Sequence, residues 1–330
     1  MEFTGSARPA GGTGARTGRA AQPGVPARRP TVSVVIATRD RPALLCEAVR
    51  SVLAQTYAGR IEVLVVHDQS DPDFSLELSA QDRAVRVLAN GRRPGLAGAR
   101  NSGIEEAAGE YIAFCDDDDV WSPGKLAAQV SRLEEDPSAD FATCGITVLH
   151  DGRRHDRVLR RHTVTFADLL RDRHTELHPS TFLFRREAAH NGFGLVDEAV
   201  PGGFGEDYEF LLRAARRAPI AHVPEPWVTV RWGAQSFFFQ RWQTMSAGLA
   251  DVLAKYPEFE SVRAGSARIR GQIAFAHAAQ ASRREACRWA ASAIRRNPLE
   301  PRAFLALGVA TGWVSPAAVM TALHRHGKGI

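Results

Sequence analysis

The sequence predicts an α/β fold: a doubly wound, mostly parallel sheet flanked by helices, followed by a helical C-terminal region. Two observations carry this. Four short strand-like runs, largely apolar, at residues 32–37, 61–66, 85–88 and 111–115, alternate with segments of helical apolar spacing. Runs without polar alternation belong to strands covered on both faces, and strands linked through helices pair in parallel. Carboxylates also follow two of these runs, Asp68 after the second and Asp116, Asp117, Asp118 and Asp119 after the fourth. Sheets of this kind bind ligands beyond the carboxyl ends of their strands.

The elements follow in order. Residues 1–30 are rich in Gly, Pro, Ala and Arg, lack apolar periodicity and are expected to be disordered. The first strand leads to Asp40, expected to cap the next helix, with Pro42 in its first turn. "ALLCEAVRSVLAQ" then has helical spacing. "GLAGARNSGIEEAAGE" is a helix despite its glycines, "GKLAAQVSRLEED" a helix and "DFATCGITVLH" a strand. Residues 150–177 are polar and rich in Arg and His, with few recognisable elements. "STFLFRREAA" gives strand then helix, and "GGFGEDYEFLLRAARRA" a Gly-rich loop opening an amphipathic helix. Beyond residue 237 the pattern is helical, and "SRREACRWAASAIRRNPLEPRAFLALGVA" resembles one tetratricopeptide-type helix pair. The expected division is a tail at 1–30, an α/β domain at 31–235 and a helical appendage at 236–330.

With 330 residues, 44% hydrophobic, the chain can build a large core plus that appendage. The net charge is +5, and only Lys125, Lys255 and Lys328 are lysines. No basic stripe interleaved with aromatics points to nucleic acid, whereas an Arg-rich balance suits anionic phosphate substrates. The four cysteines lie far apart, with no C-x-x-C pair for zinc and no dense disulfide framework. No apolar run is long enough to span a bilayer, and the N-terminus lacks an apolar signal core. A cytoplasmic setting follows as the expectation.

Four adjacent aspartates repel one another. A bound Mg²⁺ or Mn²⁺ accounts for them, because such ions take one or two carboxylates together with substrate phosphates. Asp116 and Asp118 can aim to one side of a locally extended backbone. A solvated acidic turn, or capping of the helix after Trp121, is the alternative. Asp68 could accept a hydrogen bond from a nucleotide base or close an Asx-turn. Glu206 and Asp207 open a helix, where the macrodipole favours carboxylates, and either could serve as a general base. "PGLAGARNSG" resembles a phosphate loop without matching a dinucleotide or P-loop fingerprint; Arg100 within it could neutralise phosphate or be a surface residue.

In this order the pieces resemble the family 2 glycosyltransferases, which have the GT-A fold. "VSVVIATRDRPALLCEAVRSVLAQTY", "IEVLVVHDQSDPD", "GLAGARNSGIEEAAGEYIAFCDDDDVWSPGKL" and "GFGEDYEFLLRA" match the family's segments across about residues 31–235. The resemblance implies an inverting, metal-dependent transfer of a sugar from a nucleotide diphosphate-sugar to an acceptor hydroxyl. Asp68 then matches the residue on the donor's pyrimidine base, Thr38 and Asp40 fall on the first nucleotide-binding loop, and Asp117 lies near the ribose. Asp118, with Asp116 as partner, holds the cation, and Asp207 is the base. Two departures stand out. His67–Asp68 replaces a pair of aspartates, and Gly233 stands where many members carry a His.

A UDP- or dTDP-sugar is the expected donor. The acceptor could be a carbohydrate, a lipid-linked sugar or a small molecule, bound between the Asp207 helix and residues 150–177. His155, His162, His174 and His178 lie in or beside that region and could touch acceptor or phosphate, with surface residues the favoured reading; Asp197 and Glu198 are acceptor contacts or loop charges. The Arg-rich surface is compatible with peripheral contact at the inner membrane face. Two rivals are a sugar-1-phosphate nucleotidyltransferase, whose Gly-rich N-terminal loop "VVIATRDRP" does not provide, and an inactive sugar-nucleotide-binding module. A processive membrane polymerase fits poorly, since "QRWQ" at 240–243 departs from the Q-x-x-R-W spacing and Trp242 is expected to be a packing residue.

Overall fold

The computed structural model describes residues 29–232 and 241–325. The apolar runs become β1 (Val32–Thr38), β2 (Ile61–His67), β4 (Arg83–Ala89) and β5 (Tyr111–Phe114), with the short β3 (Leu78–Ser79) ahead of β4. Between them lie α1 (Pro42–Leu53) and α2 (Leu96–Glu106). Then come β6 (Val120–Trp121), α3 (Lys125–Glu135), β7 (Phe141–His150), β8 (Arg153–Arg157), β9 (Thr163–Val164) and α4 (Phe166–Arg171). β10 (Leu183–Arg185), α5 (Arg186–Asn191), α6 (Glu206–Arg217) and β11 (Ile220–Arg231) complete the α/β part. α7 (Trp242–Lys255), α8 (Arg263–Ala279), α9 (Arg283–Arg296), α10 (Pro301–Ala310) and α11 (Pro316–Arg325) follow.

Among the described residues one sheet runs β3-β4-β2-β1-β5-β10-β7-β11-β6, with β8 added to β7 and β9 to β11. β4, β2, β1 and β5 are parallel, as the alternation predicts, and β7 pairs with β11 in parallel. β10 and β6 run antiparallel to their neighbours. Both faces are covered. Val34 and Ile36 pack toward Leu45 and Val49 of α1 and Leu126 and Val130 of α3. Val35 faces the other way, into a core with Phe184, Phe210, Val252 and Ile273. α2 needs its glycines there, because a Cβ at Gly103 would overlap the Val35 side chain. A cluster of Phe114, Phe184, Phe193 and Phe210, with ring centroids 5.2–5.9 Å apart, fastens α6 to the sheet.

Three sequence expectations are corrected. Asp40 does not cap α1: Arg41 stands at the N-cap, and Asp40 has a left-handed backbone with φ 54°. The 12-residue β11 goes unrecognised in the sequence, because Pro224 and Pro226 interrupt it; the register shifts at Pro226 absorb the break. The polar stretch 150–177 holds β8, β9 and α4, the last opened by a capping box between Thr165 and Asp168. The helix pair α9 and α10 packs through Ala286, Ala290, Ala303 and Ala306 against α8, as the small residues predict. Residues 1–28, Gly233, Gln240 and the boundary near 235 lie outside the described residues. No helix among the described residues is long and apolar enough to cross a membrane.

Candidate active site

The carboxyl ends of β1, β2 and β5 open into a cleft of about 1270 Å³, whose lining includes Thr38, Asp68, Arg100, Asp116, Asp117, Asp118 and Asp207. Asp40 is not among the lining residues; it is exposed beside Arg39. At the end of β1, the Thr38 hydroxyl donates to Asp117 at 2.8 Å. Arg41 donates to Asp117 at 3.2 Å and to Asp118 at 3.0 Å, so α1 begins with a guanidinium placed on two of the four aspartates.

Asp68, at the end of β2, accepts from the Gly95 amide at 3.1 Å, from Asn90 at 2.8 Å and from Gln69 at 2.9 Å. It thereby fixes the loop that turns into α2. Burial disfavours its charge, yet these donors hold its pKa below the ordinary carboxylate value. The sequence left a base contact and an Asx-turn or helix cap open for Asp68; its bonds run instead to Gln69, Asn90 and Gly95, in the loop ahead of α2.

Asp116 and Asp119 are drawn toward the turn that precedes β10. The Ser180 hydroxyl accepts from the Asp116 amide at 2.9 Å and donates to Asp119 at 2.6 Å. His178 places Nδ1 3.3 Å from Asp119 and Nε2 4.0 Å from Asp116. Ligand atoms of Asp116, Asp119 and His178 all lie within 4.8 Å of one another. Asp118, the cation ligand implied by the resemblance, points instead at Arg41. Burial raises the pKa of Asp118, as do the charges of Asp116 and Asp117; burial pushes Asp119 well above the usual range, reinforced by Asp116 and Asp118. Of the four histidines grouped in the sequence, His155 and His162 are exposed, while His174 and His178 are half-buried. His178 is lodged against the aspartates, and burial lowers its pKa.

Arg100 is neither exposed nor free for phosphate. It is 2% exposed and donates to Asp116 at 2.7 Å and to Glu206 at 3.0 Å. One side chain thus ties the aspartate cluster to the first residue of α6. That helix starts from Gly205, whose φ of 89° suits glycine, and carries Glu206, Asp207 and Glu209 in its first turn. Burial pushes Glu206 up to about 8 against the pull of Arg100. For Asp207 the balance is opposite: burial opposes its charge, but Arg173 and Arg100 hold it below the ordinary value. Arg173 donates to Asp207 at 2.5 Å. Two adjacent carboxyl groups with proton affinities driven apart are the arrangement that separates a neutral acid from an ionised base.

Asp197 and Glu198 also line the cleft, held by Lys255 at 2.6 Å and by Arg92 and Asn101 at 2.5 and 2.7 Å. Trp242 packs edge-on against Phe275 at 5.6 Å, the packing role expected of it, and faces the cleft too. The sequence did not mark Arg41, Arg173 and Arg268 as cleft residues, nor Ser180 as the buried hydroxyl between Asp116 and Asp119; each arginine has other arginines close by in sequence, so no spacing singles it out. Arg100→Ala is expected to destabilise the fold by about 3 kcal/mol, because it leaves buried carboxyl groups without a donor. Urea unfolding of the two proteins measures this.

The chain matches the family described as Glycosyl transferase family 2 over residues 33–193. It is 30% identical over 199 residues to an uncharacterized glycosyltransferase, YwdF, of Bacillus subtilis (strain 168), an alignment covering 58% of this chain and 71% of YwdF. Among solved structures it resembles S. aureus TarS 1-349 in complex with UDP-GlcNAc, with a TM-score of 0.58, 15% identity, and 90% and 92% of the two chains covered. It also resembles the mannosyltransferase PcManGT from Pyrobaculum calidifontis in complex with GDP-Man and Mn²⁺, with a TM-score of 0.54, 20% identity, and 91% and 86% covered. At these identities the two structures speak for the GT-A fold.

Proposed function

Because the chain belongs to the family 2 glycosyltransferases, we propose that it moves a sugar from a nucleotide diphosphate-sugar to an acceptor hydroxyl, with inversion, using Asp207 as base. The observation that carries this reading is Arg100. It spans from Asp116, in the cluster suited to a diphosphate and a cation, to Glu206, next to the carboxylate suited to deprotonate an acceptor. Donor and acceptor chemistry therefore meet in one cleft.

The donor set fits a divalent ion. Asp116 and Asp119 offer hard oxygen ligands and His178 an imidazole, with Asp118 beside them on Arg41; burial first, and then the charges of neighbouring aspartates, raise the proton affinities of Asp118 and Asp119, and a cation would relieve that repulsion. Bound there, Mg²⁺ or Mn²⁺ would stabilise charge on the departing diphosphate. The chain's own groups do the rest. Thr38 and Arg41 orient Asp117 and Asp118, and Asp68 holds the loop at the donor's base. Asp207 takes the proton of the acceptor hydroxyl as its oxygen bonds to the anomeric carbon. The bond from that carbon to the diphosphate breaks, and the nucleotide leaves with the electron pair. The Mn²⁺ and the sugar nucleotides bound by the two similar structures support this assignment.

A calorimetric screen of UDP-, dTDP- and GDP-sugars with and without Mn²⁺ tests it. One sugar nucleotide is expected to bind in the presence of the cation and to lose at least tenfold in affinity without it. Binding by none of them, or equal binding with and without the ion, would remove the reading.

A further inference from the structure

The cleft has a second wall, built by the C-terminal helices. Met245 and Leu249 of α7 and Arg268 and Gln272 of α8 line it across from the aspartates. Two guanidinium groups stand beside the Tyr208 ring, one residue from Asp207: Arg173 with Cζ 5.3 Å from the ring centroid and Arg268 with Cζ 5.8 Å from it. Arg268 is 7% exposed. It donates to the Tyr208 hydroxyl at 3.1 Å and to Gln272 at 3.1 Å, and its Nε has no hydrogen-bond partner. Its carboxylate neighbour is Asp172, 3.8 Å away with a side chain 58% exposed. A buried arginine whose carboxylate neighbour faces solvent beyond hydrogen-bond reach is costly, and the cost falls when an anion arrives.

Deprotonating a neutral hydroxyl needs Asp207 but gives no reason for a second buried cation on the same side. A phosphate gives one, because the guanidinium fork matches its oxygens and two arginines match its double charge. We propose that Arg268 and Arg173 form an acceptor-side anion subsite, which takes a phosphate group carried by the acceptor next to the hydroxyl that Asp207 deprotonates. This deepens the glycosyltransferase reading and rests on it. Arg173 already touches Asp207, so a phosphate that draws Arg173 toward itself also loosens its hold on the base. The phosphate could come from a soluble sugar phosphate or from a sugar carried on a polyprenyl-phosphate lipid, whose phosphate headgroup the vesicle arm presents.

The test uses the full chain, first saturated with Mg²⁺ and whichever of UDP, dTDP or GDP binds, so that the donor's own diphosphate position is filled. Glucose 6-phosphate is then titrated at constant ionic strength. In a second arm, phosphatidylcholine vesicles with and without a polyprenyl phosphate are sedimented with the protein. Saturable binding in either arm, weakened at least tenfold in Arg268→Gln and in Arg173→Gln and largely restored in Arg268→Lys, supports the subsite and identifies the source. Absence of binding in both arms, or equal binding by Arg268→Gln, overturns it. If Arg268→Gln does not fold, Arg268→Lys and Arg173→Gln decide: binding largely kept in Arg268→Lys and weakened at least tenfold in Arg173→Gln supports the subsite, and no effect in Arg173→Gln overturns the proposal. Failure of every nucleotide to bind removes the donor reading and this subsite together; nucleotide binding without phosphate binding removes the subsite alone.

Discussion

Asp207→Asn is expected to lower turnover by about 10²- to 10⁴-fold, the usual worth of a positioned general base, while leaving donor affinity within about twofold. The substitution keeps the size but cannot take a proton, and of the two bonds that Asp207 accepts, from Arg173 and from the Tyr208 amide, the carboxamide oxygen keeps one. Donor calorimetry beside steady-state rates separates the two effects. The neighbourhood of Asp207 adds a second readout. Arg173 and Arg100 hold its pKa down against burial, so the carboxylate is ionised throughout the neutral range. A depressed carboxylate pKa means that activity depending on the ionised form is present above the ordinary value and is lost as the pH falls through the depressed one. Removing Arg173 raises that pKa, so the acid limb of the kcat/KM profile in Arg173→Met should move to higher pH. An unmoved limb would mean that Asp207 is not the titrating base.

Stripping the divalent ion with EDTA is expected to cost turnover at least about 10²-fold, since such an ion supplies several kcal/mol to a developing phosphate charge. Rates should return on adding Mg²⁺ or Mn²⁺. Asp118→Ala should reproduce the loss without rescue by metal. Asp119→Ala should differ in kind. Asp119 is 1% exposed and receives the Ser180 hydroxyl, which also accepts from the Asp116 amide, so its removal should lower thermal stability as well as activity. Melting curves alongside rates distinguish a side chain that serves the ion from one that also builds the loop. Activity untouched by EDTA would show that Arg41 and its neighbours manage the leaving charge without a metal.

Much of this was legible in the chain, and the unread parts share a cause. Strands β1, β2 and β5 announce themselves because both faces are buried and most positions are apolar; β4, with Arg83 and Arg86 half-buried, does so less strongly. β11 does not, since two prolines and a bulge interrupt a strand whose pairing is set by β7, far away in sequence. Asp116–Asp119 and Asp207 stand out because each sits at the edge of a regular element. Arg173, His178 and Arg268 reach the cleft from a polar loop, a short turn and the interior of α8. Their roles come from tertiary placement, which leaves no periodic trace.

Arg100 joins two regions that would otherwise be free to change separately. A loop transplanted from a relative to alter nucleotide preference would reset the partner of one nitrogen, and a transplanted acceptor helix would reset the other. Either graft alone leaves half of a buried linkage mismatched. Hybrid enzymes made from this scaffold should therefore be assembled with both segments from the same parent.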